Sequence, residues 1–142
     1  MYEVPMPKIR FTVSLERDLL EAFDEKIDLS GYTNRSEAIR DLIREEIIEE
    51  EWESESEGIG SITMVYNHHE REISKEVLHI QHDFNEVIIS TQHIHMDHEN
   101  CLEVVIVRGA VNTITDLYHH LKSSPGVKQC ELIRSTLGSL LD

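Results

Sequence analysis

A chain of 142 residues with 39% hydrophobic composition can bury one ordinary core or two small ones. Its formal net charge of −15 argues against bulk attraction to nucleic acid or to an anionic membrane surface, so any such contact has to be local. No apolar run approaches membrane-spanning length, Met1-Tyr2-Glu3-Val4-Pro5 lacks a signal-peptide pattern, and two cysteines outside any CxxC make no disulfide framework. Together these predict a soluble cytoplasmic protein with reduced thiols.

Residues 8–15 alternate, with Lys8, Arg10, Thr12 and Ser14 on one side and Ile9, Phe11, Val13 and Leu15 on the other, which predicts a half-buried strand. Residues 4–15 hold Lys8 and Arg10 and no acid, a local cationic stretch in an acidic chain. A helix follows with Leu19, Leu20, Phe23 and Ile27 inward, stopping near Gly31. In a second helix Asn34 is the cap, Glu37 closes an approximate capping box, and Ala38, Ile39, Leu42, Ile43 and Ile47 form the apolar stripe. One strand and two helices cannot complete a sheet, so a strand from a second chain is expected, giving an intertwined dimer. The acidic run Glu49-Glu50-Glu51-Trp52-Glu53-Ser54-Glu55-Ser56-Glu57-Gly58 is the expected domain boundary, with residues 51–58 as a self-repelling linker.

The remainder predicts β-α-β-β-α-β: a strand over Ile59–Tyr66 and a helix over Glu70–Asn85, then a hairpin of Val87–Asp97 with Cys101–Arg108. A helix over Val111–Lys122 and a strand over Val127–Arg134 complete it. That order is the split-βαβ, ferredoxin-like pattern of an α+β fold. The tail 135–142 has no assignment.

Within the hairpin, His93 and His95 fall on one face of a strand, and Ile94 and Met96 fall on the other. Pairing of the two strands would bring the Cys101 sulfur near both rings. Two nitrogens and a sulfur are three ligands for a borderline transition metal, and a fourth is needed. The other histidines are weaker candidates. His119 and His120 diverge by about 100° on a helix, His68 and His69 lie in a surface loop, and His79 and His82 share a helix face whose role the spacing leaves open.

Lys8–Ser14 followed by Asn34-Arg35-Ser36-Glu37-Ala38-Ile39-Arg40-Asp41-Leu42-Ile43-Arg44 resembles a ribbon-helix-helix DNA-binding domain, which lays a two-stranded ribbon in the major groove. The resemblance places Lys8, Arg10, Thr12 and Ser14 on the DNA face, and Asn34, Arg35 and Ser36 at phosphate. With Ser90-Thr91-Gln92-His93-Ile94-His95 and Asn100-Cys101-Leu102-Glu103-Val104 in the same chain, residues 8 to about 134 resemble the nickel-responsive NikR family, in which an ACT-type sensing domain follows the DNA-binding domain.

The resemblance implies Ni(II) held by His93, His95 and Cys101 of one protomer and His82 of a neighbour, with Tyr66 and Glu103 supporting the ligands and Glu37 and Asp41 at a structural cation. It further implies a homotetramer, operator DNA as partner, and nickel-dependent repression of nickel uptake, with no enzyme activity. Cys130 has no counterpart in the family pattern. Three other functions use part of the same residues: a metal storage protein or chaperone, an antitoxin-type ribbon-helix-helix protein, and a hydrolase built on Cys101. The last lacks any glycine-rich or nucleophile-elbow motif around the thiol.

Overall fold

A computed structural model of the chain describes residues 6–53 and 56–138. The described residues divide into two compact units, one running to Glu46 and including Gly138, the other spanning Ile47–Leu137.

In the first unit, α1 (Arg17–Leu29) turns Ile27 into the interior and half-buries Leu20 and Phe23. It stops where the sequence predicts, at Gly31, whose φ of 80° suits the left-handed residue after a helix. There the Gly31 and Tyr32 amides donate to the Asp28 and Ile27 carbonyls, closing the last turn. α2 (Arg35–Glu53) opens on the expected cap, with the Glu37 amide donating to Asn34 Oδ1 at 3.0 Å. The expected reciprocal half of the capping box is absent, because the Glu37 carboxylate pairs with Arg40 instead.

Residues 6–16 form no strand within the single chain; the strand over 8–15 is expected to pair with one from a second chain. A strand needs a hydrogen-bonded neighbour, and this unit offers none among its described residues. Ile9, Phe11 and Val13 therefore stand 89%, 65% and 62% exposed. Such an apolar row is what a second ribbon strand and its helices would cover.

The second unit is a four-stranded antiparallel sheet of order β2-β3-β1-β4, built from β1 (Glu57–Asn67), β2 (Ile88–His95), β3 (Asn100–Ala110) and β4 (Val127–Ser135). Two helices, α3 (Arg71–Asp83) and α4 (Val111–Ser123), cover one face. Alternation puts Ile62, Met64, Tyr66, Cys101, Val105, Val107 and Cys130 on that face, in one core with Ile73, Val77 and Ile80 of α3 and Ile114, Leu117 and Leu121 of α4. The expected β-α-β-β-α-β order is the one observed, with element ends moved by at most two residues and a short 3₁₀ turn over Asn85–Val87. β2 stops at His95 rather than Asp97. The Asp97 carboxylate accepts the Glu99 and Asn100 amides and holds the turn, which pulls its pKa down to about 2.

The linker expected over 51–58 is shorter. α2 remains helical through Glu53, β1 begins at Glu57, and Ser54 and Glu55 lie outside the described residues. Trp52, counted with the acidic run on sequence, is only 6% exposed and packs in the core of the second unit. Of the tail, Ser135 ends β4 and residues 139–142 lie outside the described residues, as does the Met1–Pro5 segment. Among the described residues no helix is long and apolar enough to cross a membrane.

Candidate metal centre

The β2–β3 hairpin sets the donors in register. His95 pairs across the strands with Cys101 and His93 with Glu103, while on the far side of β3 Tyr66 pairs with Cys101 and Met64 with Glu103. Directly opposed residues of an antiparallel pair project to the same face. Two parallel rows result, His95–Cys101–Tyr66 and His93–Glu103–Met64, on the helix-covered face. β2 is an edge strand, so its histidines are exposed, whereas Cys101 and Glu103 on the central β3 are 0% and 1% exposed.

A carboxylate this deeply buried has to be satisfied by donors, and Glu103 is. It accepts from the Tyr66 hydroxyl at 2.8 Å and from Gln81 Nε2 at 2.9 Å, and His93 Nε2 lies 3.1 Å away. Burial, together with the Glu103 charge and hydrogen bond, raises the Tyr66 pKa. Burial also pushes the Cys101 thiol up, reinforced by the Glu103 charge and opposed by hydrogen bonding from Tyr66.

The His95 ring stacks on His68, with centroids 4.5 Å apart and planes 16° from parallel; His68 in turn lies against His69, and His69 against His98. Nδ1 of His68 is buried without a hydrogen-bond partner, and burial of the ring, with His95 and His69 beside it, lowers its pKa. The loop histidines expected to be solvated thus form a cluster that engages one of the hairpin rings.

His82 is exposed in the last turn of α3. Among the described residues no three His, Cys, Asp or Glu side chains converge on a point that could hold a metal ion. The hairpin aligns three soft or borderline donors on one face of the sheet. That donor chemistry, two imidazoles and a thiol, fits a borderline divalent metal.

The residues expected at DNA are placed as follows. Lys8, Arg10, Thr12 and Ser14 are all exposed in the extended N-terminal segment, and Asn34, Arg35 and Ser36 are exposed at the start of α2. Arg35 is engaged there, with its guanidinium donating twice to the Asp24 carboxylate at 2.8 and 2.7 Å. Glu37 is paired with Arg40, and Asp41 accepts from Tyr32 at 2.6 Å and from Arg44 at 3.0 Å. Both acids are therefore occupied inside their own unit. Cys130 is an ordinary buried thiol in β4, its pKa pushed up to about 11 by burial.

Gln81 was missed on sequence, although its place beside His82 and four residues after Val77, on the inward side of α3, was a usable signal. The His68 stack carried no such signal, because it depends on where two loops meet.

Residues 59–135 match the family description "NikR C terminal nickel binding domain", and residues 9–50 match "Ribbon-helix-helix protein, copG family". The chain belongs to the nickel-responsive regulator family. A relative of that name from Syntrophus aciditrophicus is 50% identical over 93% of this chain and 96% of its own length. Relatives from Thermococcus kodakarensis and Pyrococcus abyssi are 50% and 48% identical, each over 96% of this chain and 99% of their own. An uncharacterized protein from Thermotoga maritima shares the fold of part of the chain, with a TM-score of 0.51 at 18% identity over 56% of this chain and 98% of its own. The chain is thus a nickel-responsive regulator with a ribbon-helix-helix DNA-binding domain and an α+β nickel-binding domain, in a family of regulators rather than enzymes.

Proposed function

We propose that this regulator is a nickel-dependent transcriptional repressor of the cytoplasm. Its DNA-binding domain, residues 1–50, occupies operator DNA when residues 59–142, the sensing domain, hold nickel, and the genes controlled serve nickel uptake. The observation that carries this reading is the hairpin register, which aligns His93, His95 and Cys101 on one face.

His82 of a neighbouring protomer completes the set, so the protein works as a homotetramer in which ribbon dimers flank a core of sensing domains. Nickel supplies a divalent charge and directional bonds that favour one arrangement of the protomers that share it. Cys101 would serve as a thiolate, its proton going to solvent. Glu103 holds His93 through Nε2–H, which leaves Nδ1 as the ligating nitrogen, and Tyr66 and Gln81 fix the Glu103 carboxylate. His95, stacked on His68, would contribute its ring from the position paired with Cys101.

On the DNA side, the ribbon strands present Arg10, Thr12 and Ser14 to base edges and Lys8 to phosphate, with Asn34, Arg35 and Ser36 at the backbone. Glu37 and Asp41 hold a structural cation once they leave their present partners. Coupling follows because the site is shared: a ligand that favours one arrangement of protomers favours one spacing of the two ribbons.

Footprinting of promoter DNA with and without nickel tests the reading. Protection that appears with nickel at stoichiometric loading supports it. Equal protection after chelation would leave an unregulated ribbon-helix-helix protein, and no protection in either state would leave a metal-binding protein.

A further inference from the structure

Arg35 opens α2, Asp24 lies in α1, and both belong to the first unit. The fork that joins them is specific in its atoms: Nε donates to Oδ1 at 2.8 Å and Nη2 to Oδ2 at 2.7 Å. The carboxylate therefore takes the side edge of the guanidinium. The planar group carries further donors at its other end, Nη1–H and the second Nη2–H. That end edge has no partner among the described residues. Two parallel N–H donors of this kind match two oxygens of a phosphate. The pair is open to solvent, with the Arg35 and Asp24 side chains 57% and 40% exposed.

The other arginines of α2 are held differently. Arg40 and Arg44 each give Nη1, an end nitrogen, to an acid three residues back on the same helix, Glu37 and Asp41. Arg35 alone of the three is gripped from another helix and by its side edge. Its hydrogen bonds hold the Asp24 carboxyl below the usual carboxylate range, so the pair stays ionised at neutral pH. An exposed ion pair contributes little to the stability of a fold. What it does restrict is Arg35 itself. A long side chain that is free to rotate has to be ordered when it meets a ligand, and one already held does not.

We propose that Asp24 is a positioning residue for DNA binding, holding the Arg35 guanidinium by its side edge so that the end edge meets a backbone phosphate. The proposal rests on the repressor reading above, in which Arg35 lies at the DNA backbone. It places an acid beside the DNA, which charge alone disfavours. On charge alone, removing that acid strengthens binding to a polyanion; positioning predicts the opposite sign.

The test measures binding of the full-length, nickel-loaded protein to a DNA fragment selected with the wild type, over a salt series, beside the melting temperature of each variant. Arg35→Ala should weaken binding and reduce the slope of log affinity against log salt by about 0.9, one phosphate contact. Asp24→Asn puts an amide where one acceptor oxygen stood. It should weaken binding by about two- to tenfold, the cost of ordering one long side chain, at an unchanged melting temperature. Asp24→Ala should do the same, and carries the test if Asp24→Asn does not fold. In the Arg35→Ala background neither Asp24 substitution should weaken binding further. Tighter or unchanged binding in the single Asp24 variants, with Arg35→Ala weakened, overturns the proposal alone. So does an equal loss with and without Arg35, which marks a structural role. Wild-type binding by Arg35→Ala removes Arg35 from the DNA and the proposal with it. A wild type that selects no DNA overturns the repressor reading as well.

Discussion

His93 Nε2 lies 3.1 Å from Glu103 Oε1, joining a half-exposed ring on an edge strand to a carboxylate that is 1% exposed on a central one. In the proposed site, this contact would orient the His93 ring and leave its other nitrogen for the metal. Glu103→Gln keeps the shape but replaces an acceptor oxygen with an amide donor facing Tyr66, Gln81 or His93. The unmatched buried donor should cost about 1–3 kcal/mol of stability, measured by urea denaturation. Nickel affinity should fall by about 10–100-fold, measured against a competing chelator. Wild-type nickel affinity in Glu103→Gln would remove Glu103 from any role in orienting the ligand.

Arg10 and Lys8 stand in the same exposed segment but should fail differently. If Arg10 forks onto a guanine, Arg10→Ala should weaken operator binding by about 1–3 kcal/mol and relax base preference there. Lys8→Ala should lower affinity on all sequences alike and reduce the salt slope by about one phosphate contact. Gel-shift titrations over a salt series and a set of operator variants distinguish the two. An Arg10→Ala protein with unchanged affinity and preference would contradict the ribbon assignment.

Nickel affinity should depend on pH with a definite sign. Burial raises the Cys101 thiol above its ordinary value, so at neutral pH the metal has to displace a proton from it. Apparent affinity should therefore rise with pH, by about tenfold per unit while that one proton is being displaced, and level off once pH passes the thiol pKa. Chelator competition between about pH 6.5 and 8.5 reads the slope, which follows from the one-proton linkage. A flat profile would mean that the sulfur is not a ligand.

Much of the sensing unit was legible because its signals are local. Alternation marked β2, helical spacing marked α3 and α4, and Asn34 and Gly31 marked helix ends that the bonds at Glu37 and Tyr32 bear out. The His95–Cys101 register was legible from the hairpin alone. Features that depend on distant residues were not. The strand over 8–15 has the right alternation and no partner among the described residues. Trp52 looked like part of an acidic spacer because its seat, Gly58 and Gly60, and its acceptor, Ser135, lie on other elements. The capping box failed because Arg40, one turn on, competes for Glu37, and the Arg35–Asp24 fork joins two helices across a turn.

In the proposed mechanism a shared site, with His93, His95 and Cys101 from one protomer and His82 from another, controls DNA binding. Co-expression of Cys101→Ala and His82→Ala subunits under separate tags tests it most directly. Each variant alone should lack the near-ultraviolet thiolate-to-nickel band and nickel-dependent operator binding. Mixed oligomers, purified through both tags, pair an intact hairpin with an intact His82 at some interfaces, and should regain part of the band and part of the nickel-dependent binding. Mixed oligomers of verified composition that regain neither would place all four ligands in one chain and contradict the account.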